Sequence, residues 1–209
     1  DAKEWEAFTN ALTTNLTAFF RESHHFPLLA EHIRHKQDPV TIWCSAASTG
    51  EEPYSIAMTL LETLGAKASQ AKVIATDIDT DALAKARKGI YPQEQVRKLD
   101  EARVKRFFQK GTGNHIGLAR VRPEVSALVE FMPLNLLAPQ WPIKGPFDAI
   151  FCRNVMIYFD KETQAKILKR FAPLMKQDGL LFAGHSENFS YISDAFKLRG
   201  QTVYTLANK

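Results

Sequence analysis

The chain has 209 residues, 45% hydrophobic and 24% charged, with a formal net charge of +4. Those values exclude a disordered chain, a collagen and a disulfide-stapled miniprotein, and no apolar run approaches the ~20 residues of a membrane span. No secretory leader opens the chain and only Cys44 and Cys152 are present, which implies reduced thiols and a cytoplasmic protein.

Trp5, Phe8, Leu12, Leu16, Phe19 and Phe20 recur at spacings of three and four, which predicts a helix over about residues 4–20. A shorter helix follows over Pro27–His35. Val40–Cys44 is apolar and rich in strand formers, so it reads as a buried strand. Small residues come next, then a helix over Glu52–Leu64 stopped by Gly65. Lys72–Thr76 is a second strand ending in Asp77, and Thr80–Lys88 is a helix stopped by Gly89. Leu128–Met132 and Asp148–Cys152 are further strands. Lys161–Met175 reads as a helix, with Gly179 closing it and a strand over Leu180–Ala183. Phe196–Leu198 and Val203–Leu206 around Gly200 read as an antiparallel hairpin. Strands alternating with helices predict an α/β fold: a doubly wound, mostly parallel sheet with helices on both faces.

Residues 90–128 do not fit one strand–helix unit. Leu99–Phe108 looks helical, while His115–Arg122 and Val125–Leu128 alternate like antiparallel strands. They predict a small inserted subdomain, a basic helix plus an antiparallel β element. Eleven basic residues lie between Lys85 and Arg122 against Glu94, Asp100 and Glu101, so that segment carries +8 and the rest of the chain −4. Such a run is either a solvated face or a patch for an acidic partner, nucleic acid or protein.

In doubly wound sheets ligands bind beyond the carboxyl ends of the strands. After the first strand come Ser45, Ala46, Ala47, Ser48, Thr49, Gly50, Glu51 and Glu52. This run lacks the G-x-G-x-x-G fingerprint of nicotinamide dinucleotide sites. Thr49 and Glu52 have the spacing of a capping box. A carboxylate at that place would also repel a pyrophosphate and attract an ammonium group. Asp77, at the end of the second strand, can accept both hydroxyls of a ribose. Asn135 offers an amide that could meet an adenine edge. Arg153 and Asn154 follow the fourth strand, and a core role explains neither, because a buried arginine needs a partner. Arg21 either pairs with Glu22, caps a helix end or reaches into the cleft. His32 and His35 lack a third converging ligand, so no metal site is expected. Cys44 and Cys152 end neighbouring strands and read as close, buried and inert.

Asn15-x-Thr17-x-Phe19-Phe20-Arg21, the run Cys44–Ser55, Ala75-Thr76-Asp77-Ile78-Asp79 and the run Phe151–Phe159 together resemble the chemotaxis receptor glutamate O-methyltransferases, the CheR family. The motifs come in that family's order through nearly the whole chain. The resemblance implies an S-adenosylmethionine-dependent methyltransferase domain over 21–209, with 90–128 as its inserted β-subdomain. Residues 1–20 would be the linker helix of an N-terminal helical domain lying outside the chain. It implies S-adenosylmethionine as cofactor, S-adenosylhomocysteine as product, and methyl transfer to glutamate side chains of the receptors' cytoplasmic helices. Carried over by motif, Asn15, Thr17, Arg21, Ala46, Glu52, Asp77, Asn135, Leu136, Arg153 and Asn154 would line the cofactor site. Some members use the β-subdomain to dock a peptide at the receptor's C-terminus.

A glutamate carboxylate is ionised near neutral pH and needs no strong base. Tyr158 and Arg21 are the candidates to orient it, although Arg21 could instead hold the cofactor's own carboxylate. The rival is a nucleic-acid methyltransferase. Against it, Asn154 is followed by Val155-Met156-Ile157 rather than the Pro-Pro-aromatic run of base-amino methylation, there is no Pro-Cys pair, and no tryptophan is interleaved with the basic residues, Trp43 and Trp141 lying at a distance from them. A non-catalytic module that binds the cofactor or a receptor peptide is the other alternative. Neither nucleic-acid binding nor membrane insertion is expected.

Overall fold

The apolar, β-branched runs form strands because neighbouring runs bury one another. The computed structural model describes residues 2–13 and 15–207. In chain order its elements are α1 (Ala2–Leu12), α2 (His25–Ile33), β1 (Thr41–Cys44), α3 (Glu51–Leu64), β2 (Lys72–Asp77), α4 (Thr80–Lys88), β3 (Ile90–Pro92), α5 (Gln93–Val96), α6 (Glu101–Phe107), β4 (Phe108–Lys110), β5 (Leu118–Val121), α7 (Pro123–Ser126), β6 (Val129–Pro133), β7 (Phe147–Cys152), α8 (Lys161–Phe171), β8 (Met175–Ala183), β9 (Phe196–Gly200) and β10 (Val203–Leu206). Seven strands form one sheet in the order β6-β2-β1-β7-β8-β10-β9. The first five are parallel, and β10 lies antiparallel between β8 and β9.

Alternate side chains of the strands feed two cores. Ile42, Cys44, Val73, Ala75, Phe151 and Phe182 pack with Phe26 and Leu29 of α2 and Ile56 and Leu60 of α3. Trp43, Ile74, Ile150, Cys152 and Leu181 pack on the other side with Ile167, Leu168 and Phe171 of α8. With both faces covered, a central strand has no polar face, and all six residues of β7 are buried. Cys44 and Cys152 are free and buried, as expected of inert thiols, but they face opposite sides of the sheet, since Cys44 pairs in register with Phe151.

Four sequence expectations need correction. The helix expected over 4–20, and with it the linker helix of 1–20, ends at Leu12; of that range Asp1 and Thr14 lie outside the described residues. Threonine and asparagine are weak helix formers, and here they have better partners. Thr13 Oγ1 and Asn15 Nδ2 donate to Asp79 Oδ2, while Asp79 Oδ1 caps α4 by accepting from Ala82 N at 2.9 Å. The helix expected over Lys161–Met175 stops at Phe171 in a turn containing Pro173, and Gly179 falls inside β8, which starts at Met175. Val125–Leu128 is not a strand, because Pro123 opens the short helix α7 there. The antiparallel sheet of the 90–128 segment is built from β3, β5 and β4 instead. Tyr91, Phe108, Ala119 and Val121 tie it to the same core as α2 and α3. Nine of the eleven basic residues between Lys85 and Arg122 are exposed.

The hairpin turn is made by Gln201 and Thr202, both at positive φ (52° and 58°), rather than by Gly200 alone. His25 braces it, its Nε2 lying 3.0 Å from both Gln201 O and Thr202 Oγ1.

Candidate functional site

The carboxyl ends of β1, β2, β6 and β7 share one edge of the sheet, where the strand order reverses about β1. A cavity of about 470 Å³ opens there. Asn15, Thr17, Arg21, Ala46, Glu52, Asp77, Asn135, Leu136, Arg153, Asn154 and Tyr158 all line it. They come from stretches up to 143 residues apart, brought together because each follows a strand or the end of α1.

The floor is an ion cluster. Arg153, only 3% exposed, donates from Nη1 to Glu52 Oε2 at 2.6 Å and from Nη2 to the carbonyl of Arg21, and lies 3.3 Å from Glu22 Oε2. Glu52 Oε1 accepts from the Cys44 thiol at 3.2 Å. Its side chain therefore caps nothing: the N-cap of α3 is Gly50, and Thr49 Oγ1 donates to Glu51 instead. This removes the capping-box reading. Burial pushes the Glu22 carboxyl up, but the His185 N–H and the Arg153 charge outweigh it and hold it below its ordinary range. Of the two carboxylates that meet Arg153, Glu52 is the one on the cavity wall, where it can face a cation.

Asp77 is held from both sides, Oδ2 accepting from Ser48 N at 2.7 Å and Oδ1 from Asp79 N at 2.9 Å. Burial raises its pKa, and these two N–H bonds oppose the rise. Asn135 uses its side-chain oxygen to accept from Leu137 N at 2.8 Å, which orients the amide. Arg21 donates from Nη1 to Leu16 O at 2.7 Å. A guanidinium has five donors, so this bond fixes the group without exhausting it. Tyr158 is 61% exposed at the mouth.

Several lining residues had no clear signal in the sequence. Trp5 and Phe8 read as core positions of an amphipathic helix, yet they are 70% and 55% exposed and edge the cavity. Thr9, Thr13, Ser48 and Ile78 also line it. Glu187 carries no local signal in the sequence. Its carboxylate accepts from the backbone N–H groups of Asn154, Val155, Met156 and Gly184, latching the loop after β7 to the loop after β8. Burial raises its pKa against those four bonds.

A seven-stranded sheet of this order, closed by an antiparallel hairpin and carrying an acidic residue at the end of its second strand beside the cavity, defines the class of S-adenosylmethionine-dependent methyltransferases. Residues 15–205 match the family described as CheR methyltransferase, SAM binding domain, and the chain belongs to that family. It is 63% identical over 204 residues to a chemotaxis protein methyltransferase of Escherichia coli, a match covering 98% of this chain and 71% of that protein. It is 60% identical over 207 residues to the chemotaxis protein methyltransferase of Salmonella typhimurium, covering 99% of this chain and 72% of that one. Chemotaxis protein methyltransferase 2 of Pseudomonas aeruginosa is 55% identical over 207 residues, with 98% and 74% covered. The cofactor is S-adenosylmethionine, and the lining is compatible with it: two separate carboxylates, Asp77 and Glu52, stand beside apolar walls at Ile78, Leu134, Leu136 and Val155.

Proposed function

We propose that this chain transfers a methyl group to glutamate carboxylates on the cytoplasmic helices of chemotaxis receptors, forming glutamyl methyl esters. The observation that carries this reading is the presence, in one cavity, of a buried carboxylate, Glu52, paired with Arg153, and an exposed phenol, Tyr158, at the mouth. The bound cofactor supplies a methyl group on a sulfonium cation. Asp77 holds the ribose hydroxyls, Glu52 faces the methionine ammonium, and Asn135 meets the adenine edge beside Leu136. Asn15, Thr17, Ala46, Arg153 and Asn154 complete the cofactor's surroundings.

No residue has to remove a proton, because the attacking carboxylate is already ionised. The protein's work is to strip water from that carboxylate and align it with the methyl group. Tyr158 and Arg21 do this by hydrogen bonds. The exposed basic residues of 85–122 attract acidic receptor helices, and the small sheet of β3, β5 and β4 serves as a dock for a receptor's C-terminal peptide.

The test of the reaction uses tritiated S-adenosylmethionine and receptor-containing membranes. Label released as methanol by mild base is expected, and base-stable label would point to an amine or nucleic-acid acceptor. Tyr158→Phe is expected to lower kcat about 10- to 100-fold, the worth of one hydrogen bond to a charged carboxylate, with the Kd for S-adenosylhomocysteine held within about twofold. Unchanged turnover would remove Tyr158 from the reaction.

A further inference from the structure

The loop after β1 is held in an unfavourable shape. Ser48 sits at φ 48° and Gly50 at φ 100°. A non-glycine residue in the left-handed region costs about 1–3 kcal/mol and persists only where its surroundings impose it. Two of the bonds that impose it involve residues lining the cavity: Ser48 N donates to Asp77, and Ser48 Oγ donates to Asn15 Oδ1 at 2.7 Å. The third comes from outside the site. Tyr91 of β3, only 4% exposed, donates its hydroxyl to Thr49 O at 2.7 Å. Burial keeps that phenol protonated, so it can only act as the donor to a carbonyl. The Tyr91 ring also stands edge-on to Phe19, 4.9 Å between centroids, and Phe19 meets Phe108 of β4 in the same way at 5.3 Å. Phe19 lies between Thr17 and Arg21, both on the cavity wall.

We infer that Tyr91 is a positioning residue for the cofactor cavity, with one side chain of the basic insertion fixing both the 45–50 loop and the 15–21 segment. The hydroxyl sets the Thr49 peptide, which sets where Ser48 points its N–H toward Asp77. The ring sets Phe19, which carries Thr17 and Arg21. The inference rests on the assignment of this cavity to the cofactor. It adds that the insertion, besides carrying the exposed basic charge, is part of what shapes the cofactor site.

Tyr91→Phe tests it, because the ring and its packing stay and only the bond to Thr49 O is lost. Calorimetry with S-adenosylhomocysteine is expected to give a Kd raised about 3- to 10-fold, the loss of one net hydrogen bond. The KM for S-adenosylmethionine should rise by the same factor while the KM for receptor does not. A purely structural role would lower the melting temperature without moving Kd. A Kd within twofold of the parent protein overturns the inference while leaving the cavity's assignment intact. A parent protein that binds no S-adenosylhomocysteine overturns both.

Discussion

Glu52→Gln is expected to weaken S-adenosylhomocysteine binding by about 10- to 100-fold, the worth of a charge-assisted hydrogen bond, and to leave the fold standing. The amide has the carboxylate's shape and can still accept from Arg153 Nη1, now 2.6 Å away. Arg153 keeps Glu22 at 3.3 Å and the Arg21 carbonyl, so no buried charge is stranded. Stranding one is what makes broken buried pairs costly, about 3–5 kcal/mol. What the substitution removes is the negative charge that Glu52 presents on the cavity wall. Calorimetry reads the affinity and urea denaturation reads the fold. A stability loss of several kcal/mol with unchanged Kd per folded molecule would mean that Glu52 serves Arg153 and not the ligand's ammonium group.

The strands and helices were legible wherever local pattern and tertiary demand agree. β2, α4 and β7 fall within a residue of their expected bounds, each apolar run being flanked by its own stop or cap. The site was legible for a related reason. In a parallel sheet the residues after each strand meet at one edge, so Glu52, Asp77, Asn135 and Arg153 could be picked by position before any distance was known. Around the cavity the failures lie where a distant partner decides, whereas local prolines, Pro123 and Pro173, explain the other two. Leu16, Phe19 and Phe20 continue the helical stripe of α1, but Asp79 takes Thr13 and Asn15 out of it from more than sixty residues away. Glu187 binds main-chain N–H groups, which carry no residue-type signal at all. No local pattern marks Tyr91, because its bond to Thr49 O spans 42 positions.

Gly50→Ala is expected to be strongly destabilising. A Cβ there would stand 2.7 Å from Tyr91 Oη and 2.9 Å from Ala86 Cβ, with φ at 100°. Backbone strain and overpacking each cost about 1–3 kcal/mol, so a loss of about 2–6 kcal/mol is expected in urea denaturation. The position cannot relax easily. Gly50 N donates to Ala47 O at 3.0 Å, Gly50 O accepts from Tyr54 N at 3.1 Å to start α3, and Ala86 belongs to α4 behind it. Relief must come from the Tyr91 side, and a second substitution separates the terms. Adding Tyr91→Phe removes the nearer clash, so the pair should recover part of the stability, giving a coupling energy of opposite sign to the single losses. Cofactor affinity should not recover with it, since the double variant still lacks the bond to Thr49 O. Additive losses in the pair would mean that Ala86 and the left-handed backbone, and not the tyrosine, set the requirement for glycine.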